Sequence, residues 1–487
     1  MKTRLHTVAV LVLLAGSPYA MAQVAGVESS SEYSAADPGG AGPRRVPGRD
    51  RAPQANPPAT TPAAPAPKVP APGDTPTTPA APDTTAPAEP AEPRSWFGHR
   101  PWWEWEKATG DWGGARTALL ERGLEFNASF TYDWSSVWSG GQNRRASTRS
   151  LLDANLAVDF GKLVSLQGLS AFADFYSSDV RGGTRDVGSL METDALETDR
   201  NVHQLAELWL QYAFTDDLFR IKVGKIDAGS EFMFVNNADE FVHGGGASPP
   251  AADAQLPTYP DPAAGFVLAI KPCEYFYISG GAFDGSGGIG INTGSQGPKS
   301  AFKGSEFFFI GEVGLVWSRL PFAPSIGSGR LAGGGWVTTA PLSRFDTTTG
   351  RGLSGGYAIL EQQIFQREPA PDDAAPDARG LFTFVQGAFS DEAFLDQPWS
   401  ISTGLTLRGT FTGRDDDAAG LLVALVGSTR DPGETFTRDE LALETFYKFQ
   451  VTPFVSVKPY IQHIVNPGGK QEFHNATVGG LRTEVAF

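Results

Sequence analysis

One segment of the sequence places a carboxylate, an aromatic ring and an amide on one side of an extended chain. In AELWLQYAF, Glu207, Trp209 and Gln211 alternate with apolar residues, which predicts that they share one face of a β-strand. Together they offer hydrogen-bonding groups beside a flat apolar ring, a set suited to reversible binding of a polar solute. The alternative is that Trp209 packs against a loop of the protein itself.

Further charged residues lie close together in RIKVGKIDAGSEF, residues 220–232. Arg220 and Lys222 alternate with apolar residues, so both are expected on the polar face of a strand. The others lie at the start of a long connection, where they are well placed to narrow an opening: Lys225, Asp227 and Glu231. The alternative is an ion-paired anchor for that connection, without contact to a solute.

A third group follows the same alternation near the end of the chain. Lys458, Tyr460 and Gln462 alternate with Val457 and Ile461, so they are expected on one polar face. A shift of one residue in any of these strands would turn the whole group to the opposite face.

Patterns that would indicate catalysis are weak. GLSGG matches G-x-S-x-G around Ser354, but it lies between strands instead of opening a helix. GSGGIG at 285–290 resembles a nucleotide-binding loop without a following helix, and RDDDAAG at 414–420 lacks EF-hand spacing. We therefore expect no catalytic residue, no metal and no cofactor.

Composition argues against nucleic acid as a partner. The 487 residues carry 39 basic and 55 acidic side chains, a formal net charge of −16, and no basic stripe is interleaved with aromatic residues. The single cysteine, Cys273, allows neither an intramolecular disulfide nor a thiolate metal site.

The first residues predict export. A basic start precedes an apolar run from Val8 to Ala15, and small residues end at Ala22, so residues 1–22 are expected to be a signal peptide. The run is too short to span a bilayer as a helix. Residues 23–99 are dominated by Pro, Ala and Thr and are expected to form a disordered, extended spacer. The part from 24 to 94 is either a plain tether or a segment lying along or through the cell wall.

One short segment has a helical pattern. This is GDWGGARTALLERG, within residues 100–123, which precede the strand-rich part of the chain. Asp111 is predicted to cap a helix, and Gly123 to follow the end of that helix. Trp112 and Arg116 lie on this helix and are expected to dock it on the remainder of the protein.

Residues 124–487 read as strand after strand separated by Gly, Asp, Pro and Ser clusters. The candidate strands are 124–137, 151–160, 169–177, 204–214, 219–225, 264–271, 275–283, 306–317, 331–337, 355–366, 381–389, 400–411, 419–427, 440–450, 455–465 and 476–487. In the fourth strand, the predicted apolar face consists of Ala206, Leu208, Leu210, Tyr212 and Phe214.

Two features favour a membrane barrel over a soluble sandwich. Connections after alternate strands are short, while the others are long. Two connections that this alternation predicts to be short, 318–330 and 367–380, are longer. Aromatic residues lie near the ends of the apolar faces, as in an interfacial girdle: Trp134, Phe214, Trp317, Phe449 and Phe487. The prediction is an all-β transmembrane antiparallel barrel of about sixteen strands, preceded by a short periplasmic helix, since a closed barrel leaves no unpaired edge in lipid.

Three separated motifs resemble the carbohydrate-selective porins of the OprB family. They are TGDWGGARTALLERGLEF, RIKVGKIDAGSEF at 220–232, and ETFYKFQVTPFVSVKPYIQHIVNPGG at 444–469. The terminal Phe487 resembles the assembly signal of outer-membrane barrels. The resemblance covers roughly residues 100 to 487, and the spacer is not part of it.

The resemblance implies a sixteen-stranded barrel in the outer membrane that passes monosaccharides such as glucose by facilitated diffusion. In the first strand the expected lipid-facing residues are Leu124, Phe126, Phe130, Tyr132 and Trp134, and the expected lumen residues are Glu125, Asn127, Thr131 and Asp133. Further acidic and amide lining is expected from Asp153, Asn155, Glu312, Glu440 and Glu444.

Three hypotheses follow. The first is a pore for small sugars, as a monomer or a homotrimer, with membrane lipid and sugars as partners. The second is an outer-membrane hydrolase, motivated only by Ser354. The third is a structural role in which the spacer ties the outer membrane to the cell wall.

Overall fold

Alternating apolar and polar side chains produce strands with one dry and one wet face, and here those strands close on themselves. The computed structural model describes residues 101–214, 218–249, 255–318, 326–346, 348–367, 378–430 and 436–487. The expected signal peptide and the spacer lie outside these ranges.

The described residues form eighteen strands, four short α-helices and several 3-10 turns. The strands are β1 Leu124–Gly141, β2 Ala146–Asp159, β3 Leu169–Arg181, β4 Val202–Phe214, β5 Phe219–Ile226, β6 Ala263–Cys273, β7 Phe276–Asp284, β8 Phe307–Trp317, β9 Gly329–Thr338, β10 Leu342–Ser343, β11 Thr349–Gly350, β12 Ser354–Gln366, β13 Gly380–Ser390, β14 Trp399–Arg408, β15 Ala418–Gly427, β16 Glu440–Thr452, β17 Val455–Val465 and β18 His474–Ala486. The α-helices are α1 Ala115–Glu121, α2 Phe160–Val164, α3 Thr184–Val187 and α4 Gly244–Ala247. Within the described ranges, no helix has the length and apolar character needed to cross a membrane.

Sixteen of these strands form one closed antiparallel barrel, while β10 and β11 form a separate two-stranded sheet. Each barrel strand pairs with the next barrel strand along the chain, so β9 pairs with β12. Strand β1 closes the barrel by pairing with β18. In this seam Trp134 lies opposite Leu481 and Asp133 opposite Arg482. Each of the sixteen predicted segments overlaps one barrel strand, so the predicted all-β barrel is confirmed.

Side chains alternate between the two faces of the barrel wall as the sequence predicts. In β1, Phe130, Tyr132 and Trp134 are exposed on the outer surface, while Asp133 and Ser135 are buried inside. The outer face is therefore apolar and the inner face polar, the arrangement of a barrel surrounded by lipid.

Ala206 departs from its predicted position. The pairing register between β3 and β4 shifts at this residue, so Ala206 and Glu207 both point inward and Leu205 is exposed. Ala206 packs against Leu151 and Tyr259 inside the barrel. The prediction of a lipid-facing Ala206 was wrong because one extra residue in a β-bulge reverses the alternation on one side of it.

Two connections fold into the barrel. Loop A, residues 182–201, joins β3 to β4, and loop B, described at residues 227–249 and 255–262, joins β5 to β6. Loop B supplies much of the interior core, where Phe241 packs edge-on against Phe384 and Phe446 of the wall. At the opposite end of the barrel, connections 318–328 and 367–379 are long, so the alternation of connection lengths is not strict.

The segment before the barrel contains α1, which begins after Gly114 and not after Asp111. A 3-10 turn separates the two residues, but Asp111 still caps the helix because its carboxylate accepts hydrogen bonds from the backbone N–H and hydroxyl of Thr117 at 2.9 and 2.8 Å. Arg116 donates to the carbonyl of Phe126 in β1 at 3.2 Å, and its guanidinium lies 4.4 Å from the ring centre of Trp112. These contacts dock α1 on the first barrel strand.

Candidate functional site

One carboxylate joins the two ends of loop B. Asp227 accepts hydrogen bonds from the backbone N–H of Gly229, the hydroxyl of Thr258 and the backbone N–H of Tyr259, at 2.8, 2.7 and 3.0 Å. Its own backbone N–H donates to Glu207 on β4 at 2.9 Å. Asp227 and Glu207 therefore fix where loop B leaves and rejoins the wall.

Glutamates on the opposite wall hold the middle of loop B. The backbone N–H of Met233 donates to Glu312 at 3.2 Å, and that of Asn237 donates to Glu361 at 2.9 Å. The backbone N–H groups of Val242 and His243 donate to Glu444 at 2.8 and 2.6 Å. Glu312 and Glu444 face the interior, where acidic lining was expected, but they contact loop B. They are buried because each carboxylate satisfies N–H groups of a loop that lies across the barrel.

Loop A is held in the same way. Glu440 accepts hydrogen bonds from the hydroxyl of Ser189 and the backbone N–H groups of Leu190 and Met191, at 2.5, 2.8 and 3.2 Å. It is a loop anchor and not free pore lining. Asp153 and Asn155 point inward from β2 but are also buried, and their side chains lie 3.4 Å apart.

A buried ion network fixes the centre of loop A. Asp194 lies 2.7 Å from Arg482 and 3.4 Å from Arg149, and Asp133 contacts both arginines at 3.2 and 3.5 Å. Burial alone would raise the pKa of the Asp194 carboxyl, but the two guanidinium groups lower it below its usual value. The Tyr460 hydroxyl donates to Asp133 at 2.7 Å.

Loop A and loop B also contact each other, and loop A contacts strand β17. The backbone N–H of Ala195 donates to the backbone carbonyl of Val242 at 2.8 Å. The backbone N–H of Gly244 donates to the backbone carbonyl of Glu192 at 2.9 Å. Gln462 donates to the carbonyl of Thr193 in loop A at 2.7 Å. Tyr460 and Gln462 therefore lie inside the barrel, as predicted from alternation, but they contact loop A.

Charged residues of β5 meet the beginning of loop B. Arg220 donates to Glu231 at 2.7 Å and to Gln211 at 3.1 Å, and Lys222 also donates to Glu231. The Lys222 ammonium lies 3.8 Å from the ring centre of Trp209. Burial raises the pKa of Glu231, but the two cations hold it below its usual value.

The structure thus brings most of the first two predicted groups into one cluster. Trp209 also stacks on Phe172 of β3, with ring centres 5.2 Å apart. Because β3 and β5 flank β4, Trp209 is contacted from both neighbouring strands. Phe172 is missing from the sequence-based candidates, although its alternation with Asp174 and Tyr176 places it on the inner face.

Lys225 does not join this cluster. It pairs with Leu208, whose side chain is exposed on the outer face, and its ammonium donates to the backbone carbonyls of Leu205 and Gly294. Two residues after the inward-facing Lys222 comes the inward Gly224, so alternation turns Lys225 outward. The structure makes Lys225 an anchor for the connection after β7, which contradicts its predicted place in the lumen.

Loop B carries a second acidic position against the far wall. Glu240 lies 2.5 Å from Lys448 and 2.9 Å from Lys458. Burial would raise the pKa of Glu240, but the two ammonium groups lower it far below its ordinary value. Lys458 is thus placed inside the barrel, bound to loop B.

A third acidic position faces an arginine that sequence reasoning missed. Asp239 lies 2.7 Å from Arg408, and their side chains remain 30% and 28% exposed. Burial raises the pKa of Asp239 to about 6. Arg330 is similar: its guanidinium lies 4.1 Å from the ring centre of Phe234 in loop B. Alternation could have found Arg408, whereas Arg330 fell one residue before a predicted strand.

Acids on loop B therefore pair directly with cations on the barrel wall, beside aromatic rings. Glu231, Asp239 and Glu240 supply the loop side. Among the described residues, no cluster of His, Cys, Asp or Glu is arranged to hold a metal ion. Ser354 is exposed at the first residue of β12, so its motif forms a strand and not the strand-to-helix turn of a hydrolase.

Comparisons with known proteins agree with this architecture. The family model described as carbohydrate-selective porin, OprB family, matches residues 143–487. The chain is similar to Porin B of Pseudomonas aeruginosa, with 24% identity over 78% of this chain and 90% of that protein. It is also similar to the putative porin QuiX of Acinetobacter baylyi, with 22% identity over 80% of this chain and 94% of that protein. The high-pH structure of Pseudomonas putida OprB shares the fold, with a TM-score of 0.69 and 20% identity over 79% of this chain and 99% of that one.

Proposed function

Since the chain belongs to the OprB family of carbohydrate-selective porins, we propose that it passes monosaccharides such as glucose through the gap between loop B and the cationic wall. Its setting is the outer membrane, and transport is facilitated diffusion of carbohydrates. Because one chain closes the barrel, each copy carries its own passage in a monomer or in a homotrimer.

The observation that carries the proposal is a set of ion pairs between loop B and the barrel wall in which three side chains, Arg220, Arg408 and Asp239, stay 28–30% exposed. Arg408 and Asp239, and Arg220 with Glu231, leave donors and acceptors side by side. A sugar hydroxyl can accept from a guanidinium and donate to a carboxylate, while a ring such as Phe234 covers the apolar face of a sugar.

Two roles divide the candidate residues. Those assigned to contact with the solute are Trp209, Gln211, Arg220, Lys222 and Glu231. Those assigned to holding the loops that shape the gap are Glu207, Asp227, Lys458, Tyr460 and Gln462. Lys225 is assigned to anchoring at the outer face.

Uptake into liposomes tests the proposal. Glucose should enter faster than an uncharged solute of the same size, and Arg408→Gln should weaken glucose binding by about tenfold, the effect of one hydrogen bond to a charged group. The exposed Arg122→Gln at the end of α1 is the matched control. Equal entry of glucose and the size-matched solute would contradict carbohydrate selectivity.

The same proposal excludes a hydrolase. Ser354→Ala should leave transport unchanged, and the purified barrel should release no product from ester or glycoside substrates. Hydrolysis that is lost in Ser354→Ala would contradict this assignment.

We further propose that the spacer extends from the end of the barrel with the short turns, which faces the periplasm in outer-membrane barrels, and contacts the cell wall. The position of the pre-barrel segment supports this: the Trp102 ring lies 4.8 Å from that of Phe454, in the turn between β16 and β17. Deleting residues 35–94 should increase the release of outer-membrane vesicles without changing conductance. Unaltered envelope integrity would contradict the tether.

A further inference from the structure

Two tyrosines of the barrel wall lean across glycines of the neighbouring strand. Tyr277 of β7 pairs with Gly314 of β8, and a Cβ added to Gly314 would lie 2.3 Å from the Tyr277 ring. Tyr357 of β12 pairs with Gly334 of β9, where an added Cβ would lie 2.4 Å from the Tyr357 ring. Each ring therefore occupies the space that a side chain on the next strand would fill, and the glycine is required for its position.

The two tyrosines share an acceptor but differ in exposure. Both hydroxyls donate to Glu312 of β8, at 2.6 Å from Tyr277 and 2.7 Å from Tyr357. Tyr357 is buried in the interior core that loop B helps to form, and only 5% of it is exposed. Tyr277 is half-buried. It is held by the same two kinds of contact as Tyr357, but part of its surface stays accessible.

A guanidinium joins Tyr277 to an aromatic ring of loop B. Arg330 of β9 donates to the Tyr277 hydroxyl at 3.4 Å, and its guanidinium lies 4.1 Å from the ring centre of Phe234. Arg330 also donates to the backbone carbonyl of Phe234 and to Glu361, the latter at 2.8 Å. Phe234 is half-buried, like Tyr277. The structure thus brings two accessible rings, one on the wall and one on loop B, to the same cation.

The pair of Arg408 and Asp239 lies next to these rings. The side-chain amide of Asn236, two residues after Phe234, donates to Glu361 at 3.2 Å. The backbone carbonyl of Asn236 accepts from Arg408 at 3.3 Å, and Arg408 donates to Asp239 at 2.7 Å. One short stretch of loop B therefore connects the two rings to a partly exposed donor and acceptor.

We infer that Tyr277 is a stacking residue of the passage and makes it select cyclic sugars over open-chain polyols of the same size. The inference rests on the function proposed above. In the cyclic form of a hexose, C–H groups form the faces of the ring and hydroxyls form its edge. An aromatic ring covers such a face, while Arg408 and Asp239 can bind the edge. An open-chain hexitol offers hydroxyls without a fixed apolar face, so it gains hydrogen bonds but no stacking.

Uptake into liposomes that carry the full protein tests the inference, with glucose compared against sorbitol, an open-chain hexitol of nearly the same size. The parent protein should pass glucose faster than sorbitol. In Tyr277→Leu this preference should fall by about fivefold, the effect of one lost aromatic contact. Tyr277→Phe keeps the ring and should retain the preference. Gly314→Ala keeps the tyrosine but places a methyl group where its ring lies, so this variant should also lower the preference.

Tyr275→Ala and Gly280→Ala are the matched controls, and neither should change the preference. Tyr275 is exposed in the turn before β7, and a Cβ on Gly280, on the outer face of β7, would meet its nearest atom only at 3.8 Å.

An unchanged preference in Tyr277→Leu would overturn the inference and leave the proposed function intact. If that variant does not fold, an unchanged preference in Gly314→Ala would overturn it in the same way. An equal loss in Tyr277→Phe and Tyr277→Leu would also overturn it, since the hydroxyl and not the ring would then be responsible. A parent protein that passes glucose and sorbitol equally would instead contradict the proposed function itself.

Discussion

Removing the carboxylate of Asp227 should open the passage by releasing the ends of loop B. In Asp227→Ala, Gly229, Thr258 and Tyr259 each lose a hydrogen bond to this carboxylate. A hydrogen bond to a charged group contributes about 1.5–3 kcal/mol, so three bonds at the lower value give roughly 4–5 kcal/mol of lost loop docking. Segments that open locally lie at the low end of the range of opening free energies in a protein, so a loss of this size should release the ends of loop B.

The loss concerns the loop and not the barrel, whose strands remain paired on both sides. We therefore expect a barrel that still migrates as a folded species on unboiled gels but has a larger single-channel conductance. Liposomes containing the variant should also admit oligosaccharides that the parent protein excludes. Asp227→Asn should be intermediate, because its amide oxygen can still accept from Gly229 and Thr258 while its NH₂ group opposes the N–H of Tyr259.

Asp346 provides a matched control. Its carboxylate accepts from the backbone N–H and hydroxyl of Thr348 at 2.9 and 2.5 Å, but in the connection after β9 and not in loop B. Asp346→Ala should leave conductance and the size limit unchanged. If Asp227→Ala keeps the parent conductance and size limit, loop B stays docked without the hydrogen bonds of Asp227, and the reasoning is refuted.

Three further predictions concern the loop contacts. Glu240→Gln leaves Lys448 and Lys458 without their carboxylate, so the reversal potential in a salt gradient should shift toward anion selectivity. Burial lowers the pKa of His243 to about 4 from its ordinary 6.5, so docking of loop B should weaken as the pH falls from 6.5 to 4, and His243→Asn should remove this component of the conductance change. Asp194→Asn leaves two buried arginines with less compensation, which should cost about 3–5 kcal/mol and make loop A accessible to proteases.

Each of these predictions has a distinguishing control. The exposed Glu121→Gln should not shift the reversal potential, and an equal shift would contradict the role of Glu240. The pKa of Asp239 is raised to about 6, so its protonation strengthens the docking of loop B over the pH range in which His243 weakens it. The difference between the parent protein and His243→Asn therefore isolates the effect of the histidine. Protease resistance of loop A in Asp194→Asn, equal to that of the parent, would contradict the ion network.

Alternation along the chain was sufficient to locate the strands. The period-two pattern is local, since successive side chains of a strand point to opposite faces whatever the strand packs against. It also placed Arg220, Lys222, Lys458, Tyr460 and Gln462 on the inside. It failed at Ala206, where a bulge changes the register, because the pairing partner on β3 lies far from it in sequence.

The sequence by itself determined sixteen amphipathic segments and the residue types that a polar lumen requires. Only the tertiary structure decided which of those residues face the passage. Val242 and Glu444 are 202 positions apart, and Asn237 and Glu361 are 124 positions apart, yet hydrogen bonds join them because loop B crosses the barrel. Glu444, predicted to line the lumen, therefore accepts a hydrogen bond from a backbone N–H. No local pattern in the sequence records such a contact, since it exists only once the barrel has closed around the loop.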